Sequence, residues 1–343
     1  MLTRLKSIVL RFSILCCAAS FISVAWAATI DAKEPIRIQV DATDTAHKVF
    51  SVTEFIPLHG ETSVTLLYPR WEIGSHAPTI SVADLAGLEF RLNGKPLEWH
   101  RDPLDVNAFH VSIPRNASML EAQFQYLSPL NGGVMTRNIV QVQWEHLMLY
   151  PQGMNVNDIP VVVQLRLPAG FHAASSLRVE QEIGNVLHFR QCTIGELAEA
   201  PVFAGRFTRN WLLSTDNAKP VWLRVVADEA KDLTIAPEQL QALRKVVTLT
   251  NGMFGAVPFR HYDFLVSLTN QLPNDGGDEH QESGEISLPA DYFLSPEKYT
   301  AMASLFPHEY IHAWNGSVIG PLDSWFQTLT PPCRTACCGY TKD

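Results

Sequence analysis

The sequence predicts an α+β chain, with an N-terminal antiparallel β-sandwich-like domain followed by a catalytic domain that carries the helices. Three observations lead there. From about Glu34 to Val226 the chain is a series of short apolar runs punctuated by turn residues. Near Asp228 the composition shifts, and Pro237 opens a segment of helical periodicity. Further on stands His308-Glu309-Tyr310-Ile311-His312, with the spacing H-E-x-x-H.

Residues 1–27 read as a secretory signal peptide. Arg4, Lys6 and Arg11 form a positive leading region, Phe12 to Ala27 is apolar, and Ala25-Trp26-Ala27 supplies small residues at the −3 and −1 positions of a cleavage site. The apolar run is short for a membrane span, and no later segment is long and apolar enough to be one. The expectation is an exported protein, periplasmic or secreted, with no stable membrane span after cleavage. Without residues 1–27, the 26 basic and 35 acidic residues of the full chain lose only basic members, and the net charge falls to about −12. A balance that acidic excludes nucleic acid as a natural partner. Cys192, Cys333, Cys337 and Cys338 remain, three of them crowded at the end of the chain, unlike a disulfide framework spread through a fold.

The first half, 28–227, is the β domain. Ile36-Arg37-Ile38-Gln39-Val40 alternates apolar and polar residues. Ser63 to Tyr68, Leu88 to Leu92, Ala108 to Ile113, Ala122 to Tyr126, Val140 to Trp144, Val161 to Leu167 and Leu187 to Arg190 follow at strand lengths. Asn93-Gly94 and Asn131-Gly132-Gly133 are hairpin turn signals. Trp71, Trp99 and Trp144 fit core and interface positions, and a ligand groove is the alternative.

The second half, 228–330, carries the chemistry. A helix from Pro237 places Leu240, Leu243, Val247 and Phe254 near one face, and Gly252 and Gly255 end it. His261 to Leu268 reads as a strand, and Pro273 to Gly284 as a glycine-rich acidic loop. That loop fits a substrate-binding edge, with Glu279 or Glu282 holding a peptide's free amine. It also fits a solvated turn, and its spacing does not match a calcium loop. Ser295-Pro296-Glu297 caps the helix leading to the motif, with a break expected at Pro307. On a helix, His308 and His312 lie one turn apart on the same face and can offer two imidazoles to one metal ion. Glu309 beside them can reach a water on that metal; zinc brings the pKa of such a water to about 7, and a carboxylate can then take its proton during attack on a carbonyl.

The stretch from His308 to Gly316, preceded by Gly276-Gly277-Asp278-Glu279-His280, resembles the glycyl aminopeptidase family of gluzincins, which are thermolysin-like zinc metallopeptidases. Tyr68-Pro69-Arg70-Trp71 with Gly74-Ser75 is similar to that family's N-terminal domain. The resemblance implies zinc on His308 and His312, Glu309 as general base, and a substrate- or amine-binding role for Gly277, Glu279 and His280. Asp278 stands where the family pattern has an apolar residue. The resemblance also implies a third zinc ligand, a glutamate on a later helix, yet no Glu follows Glu309, and Asp323 and Asp343 are the downstream carboxylates. The family's PDZ domain has no counterpart either. The catalytic domain is therefore expected to be incomplete, with an atypical Cys-rich tail at 331–343.

Two functions follow. One is a zinc aminopeptidase that removes small N-terminal residues such as Gly or Ala from peptides. The other is an inactive relative that at most binds a peptide or a protein.

Overall fold

Strand Ile36–Asp44 alternates buried and exposed residues, as its sequence requires, and turns through residues 45–48 into an antiparallel partner, Val49–Pro57. In this computed structural model, residues 34–73, 77–129, 133–214, 218–273 and 276–315 are described. The expected signal peptide, Gly74-Ser75, the Asn131-Gly132 turn, Gly316, Asp323, the Cys-rich tail and Asp343 all lie outside them.

Val49–Pro57 pairs along its whole length with Met119–Leu127, and Ile36–Asp44 runs parallel to Pro160–Arg166, within a nine-stranded sheet. A four-stranded sheet containing Ser63–Leu67 and Ala108–Ser112 and a three-stranded sheet of Ile139–Val142, His172–Ser175 and Val202–Gly205 pack against the same apolar cluster. Trp144 is sealed in that cluster. Its indole N–H donates to the Ala200 carbonyl at 2.8 Å and its ring meets Phe189 edge-on. Trp99 packs edge-on against Phe90 and Phe109, so both tryptophans serve the core. Asn93 and Gly94 both take positive φ, and Leu92 pairs with Lys95 around them, which is the two-residue hairpin those residue types favour.

A five-stranded sheet forms the second half, in the order Phe207–Leu212, Val221–Ala227, Tyr262–Leu268, Ser283–Leu288 and Gly276–Glu279. The three inner strands are parallel and the two outer ones antiparallel to their neighbours. Tyr262–Leu268 is buried at every position, Asp263 and Ser267 included, so the strand shows no alternation of buried and exposed residues. Helix Pro237–Phe254 connects the parallel pair Val221–Ala227 and Tyr262–Leu268. It has Pro237 in its first turn, runs through Gly252, and stops at Gly255, whose φ of 75° needs glycine.

Helix Pro296–Ala301 begins as expected, with Ser295 Oγ accepting from the Lys298 N–H at 3.3 Å. The break after it falls at residues 302–304, earlier than the sequence predicts. Helix Leu305–His312 then starts two residues before Pro307, which sits in the first turn, where no intrahelical N–H is required. Phe306, Tyr310 and Trp314 from this segment pack with Phe259, Tyr262 and Phe264 in an aromatic core beneath the sheet.

Between the two groups of sheets, the buried carboxylate of Asp228 accepts hydrogen bonds from the hydroxyls of Thr136 and Thr269 and from the Gln271 side chain. The Asn138 side chain donates to the Asp228 carbonyl. Ile139, Phe203, Val226, Leu265 and Leu272 fill the apolar space at this junction.

Candidate metal centre

Helix Leu305–His312 is fixed before any ligand is considered. The Tyr262 hydroxyl donates to the Glu309 carbonyl at 3.0 Å, and the Tyr310 hydroxyl to Asn251 Oδ1 of the long helix at 2.8 Å. These anchors hold the polar side of the helix against the hairpin formed by Gly276–Glu279 and Ser283–Leu288.

His308 and His312 meet as the i, i+4 spacing requires. Their Nε2 atoms are 3.2 Å apart, with the rings nearly perpendicular. Two nitrogens bound to a tetrahedral zinc at about 2.0–2.1 Å would stand about 3.3 Å apart, so the pair is already at the separation of two zinc ligands. The Nδ1 atom of His312 lies 3.0 Å from the Asn315 carbonyl, which assigns the ring proton to Nδ1 and leaves Nε2 bare. That is the tautomer a metal-binding imidazole uses.

Glu309 is buried behind the pair. Its Oε1 lies 4.0 Å from His308 Nε2, and its Oε2 has no hydrogen-bond partner among the described residues. Glu279, on the edge strand, brings Oε1 to 3.4 Å from His312 Nδ1. One ligand atom from each of Glu279, Glu309 and His312 falls within 4.8 Å of the others. A buried carboxylate with an orphaned oxygen beside two imidazoles fits a cation. Among the described residues, Glu279 is the further carboxylate beside the motif.

Gly277 contributes by having no side chain. A Cβ there would meet Glu309 Oε1 at 2.5 Å and the Glu285 carbonyl at 2.8 Å. At Gly284 a Cβ would lie 2.6 Å from the Tyr262 hydroxyl. His280 is engaged by two other carboxylates. It is buried, with Nε2 3.0 Å from Glu285 Oε1 and Nδ1 3.8 Å from Glu199 Oε2. Glu282 is engaged by Arg260, whose backbone N–H and guanidinium both bind its carboxylate.

The site is crowded with carboxyl groups and poor in positive charge. Burial, followed by the fields of Glu279 and Asp278, pushes the Glu309 carboxyl up to about 8. Burial and the neighbouring Glu285 carry Asp278 to about 7. Glu145, buried on the short helical turn Trp144–His146, is raised to about 8 mainly by burial, and its field reaches His280 and Glu285. Burial opposes a charge on His280, but Glu199 and Glu285 more than offset it and hold the ring well above the usual imidazole range. One imidazolium among this many carboxyl groups leaves the pocket short of positive charge, and a metal ion or an ammonium group would supply it.

The structure thus gathers His308, His312, Glu309 and Glu279, sets Gly277 directly against Glu309, and buries His280 between Glu285 and Glu199. Sequence reading missed Glu145, Glu199 and Glu285. Glu145 and Glu199 come from the first half, and no spacing links them to the motif.

Residues 37–206 match the model of the Peptidase M61 N-terminal domain. Among solved structures, the fold is similar to an aminopeptidase N family protein from Idiomarina loihiensis, with a TM-score of 0.68 and 18% identity over 83% of this chain and 49% of that one. It is also similar to yeast LTA4 hydrolase in complex with bestatin, with a TM-score of 0.50 and 14% identity over 82% of this chain and 43% of that one. The chain therefore spans less than half the length of either structure. No curated protein matches it in sequence. Together these comparisons relate residues 37–206 to the Peptidase M61 N-terminal domain and the fold to that of an aminopeptidase N family protein and of LTA4 hydrolase.

Proposed function

We propose that this protein is an exported zinc aminopeptidase acting on peptides with small N-terminal residues. The observation that carries the reading is the His308–His312 pair, with Nε2 atoms 3.2 Å apart and the buried carboxylate of Glu309 behind them. His308 and His312 would hold the zinc through Nε2. When bound, zinc lowers the pKa of a water molecule toward 7 and polarises a carbonyl.

Glu309 takes the proton of the attacking water and passes it toward the leaving amine. Gly277 keeps the edge strand close to that carboxylate. Glu279 and the carboxyl groups around it give the substrate's ammonium group a negative environment, which supports cleavage at the N-terminus over cleavage within a chain. Preference for Gly or Ala rests on the likeness of the motif and loop to glycyl aminopeptidases. Export rests on the signal-like residues 1–27.

The test is zinc stoichiometry on the purified chain after dialysis against a weak chelator, followed by turnover of Gly- and Ala-p-nitroanilide. About one zinc per chain with chelator-sensitive turnover is expected. A chain that retains no zinc and cleaves neither substrate would overturn the reading in favour of a non-catalytic relative.

A further inference from the structure

Glu199 lies at the C-terminal end of the short helix Ile194–Ala198, in the first half of the chain, yet it reaches the hairpin beside the candidate metal centre. Its Oε2 accepts from the Gln281 N–H at 3.1 Å and stands 3.8 Å from His280 Nδ1. The other ring nitrogen, Nε2, lies 3.0 Å from Glu285 Oε1. The Glu199 contact to the ring is at ion-pair distance and the Glu285 contact at hydrogen-bond distance, so the ring sits between two carboxylates. The His280 backbone N–H donates to the Ser283 carbonyl at 3.0 Å and closes the turn. The turn is therefore pinned from three directions, one of them Glu199.

We propose that Glu199 is a positioning residue for the site. With Glu285 it brackets the His280 ring while holding the Gln281 N–H, and that clamp fixes the edge strand Gly276–Glu279 so that Gly277 abuts Glu309 and Glu279 faces His312. His280 then acts through the strand it anchors and not by touching substrate. The inference rests on the proposed aminopeptidase reading only for its kinetic consequence. The ordering of the strand is independent of it.

Glu199→Gln tests this, because an amide oxygen still accepts from Gln281 while the charge facing His280 is lost. Hydrogen exchange of the amides in 277–281 should quicken about tenfold while that of helix Leu305–His312 is unchanged. Zinc content should stay the same, and KM for Gly-p-nitroanilide should rise about tenfold with kcat within about threefold, since the change loosens a binding edge and not the reacting groups. Glu199→Asp, which keeps the charge on the same turn, should fall between the wild-type protein and Glu199→Gln in exchange rate. Unchanged exchange in Glu199→Gln, or an Asp variant as loose as the Gln variant, overturns the proposal. If the unaltered protein has no turnover, the aminopeptidase reading fails, and hydrogen exchange alone still decides whether Glu199 positions the strand.

Discussion

The carboxylate of Glu309 occupies the space that any side chain at residue 277 would need. A Cβ on Gly277 falls 2.5 Å from Glu309 Oε1, with the Glu285 carbonyl closing the other side at 2.8 Å. Neither neighbour yields easily, since Glu309 is buried on a helix anchored by Tyr262 and Tyr310, and the carbonyl belongs to a paired strand. Gly277→Ala should therefore cost about 1–3 kcal/mol of stability. It should also reduce turnover at least tenfold, because relief comes most readily by moving the proton acceptor. Urea unfolding and p-nitroanilide kinetics on the variant check both expectations, and full activity in a stably folded Gly277→Ala protein would refute the packing role.

Glu309→Gln keeps the volume of the side chain and removes its ability to take a proton. Turnover should fall by about 10²–10⁴, while zinc content, set by the two histidines, stays as in the parent. Elemental analysis alongside kinetics separates the two effects. Activity that survives the change would mean that the base lies elsewhere.

Glu54 provides a pH prediction away from the site. It is fully buried in the first half, accepts from the Leu149 N–H at 2.9 Å, and is pushed up to about 8 by burial. The folded protein holds this proton above the pH at which the unfolded chain releases it. Its contribution to stability is therefore complete below about pH 4.5 and is lost as the pH rises toward 8, by up to about 1.4 kcal/mol per pH unit in that window. Glu54→Gln should flatten the fall in stability between pH 5 and 8. Denaturant melts of both proteins at those two pH values measure it, and equal slopes would show that Glu54 is not protonated in the fold.

Tyr310→Phe removes the hydroxyl that reaches Asn251 and leaves the ring in its aromatic cluster. A loss of about 1 kcal/mol is expected, with zinc retained. A much larger loss, read by chemical denaturation, would show that the hydroxyl supports more than this one bond.

How far the sequence reveals this arrangement depends on the distance its signals span. The facing of His308 and His312 follows from their spacing on one helix. The Asn93-Gly94 turn and the Ser295 cap are equally local, and both are found where the residue types place them. The sequence points to Pro307 as the start of the motif helix and the helix begins at Leu305, because a proline is tolerated in the first turn as well as before it and packing of Leu305 and Phe306 against the core decides between the two. The parallel pairing of Tyr262–Leu268 was not legible, since a strand buried on both faces carries no alternation. Glu145 and Glu199 were invisible for a further reason. They reach the site across more than 80 residues of chain, and a buried glutamate looks in sequence like an exposed one.

The carboxylate of Asp228 gathers its partners from both sides of the junction, with Thr136 from the first half and Thr269 and Gln271 from the second. Melting either side alone would strip that carboxylate of part of its coordination while leaving it largely shielded from water, a penalty of a few kcal/mol that partial unfolding incurs and complete unfolding avoids. The two halves are thereby coupled in cooperativity as well as in space. The first half serves the second as a thermodynamic partner, and the two are expected to be lost together.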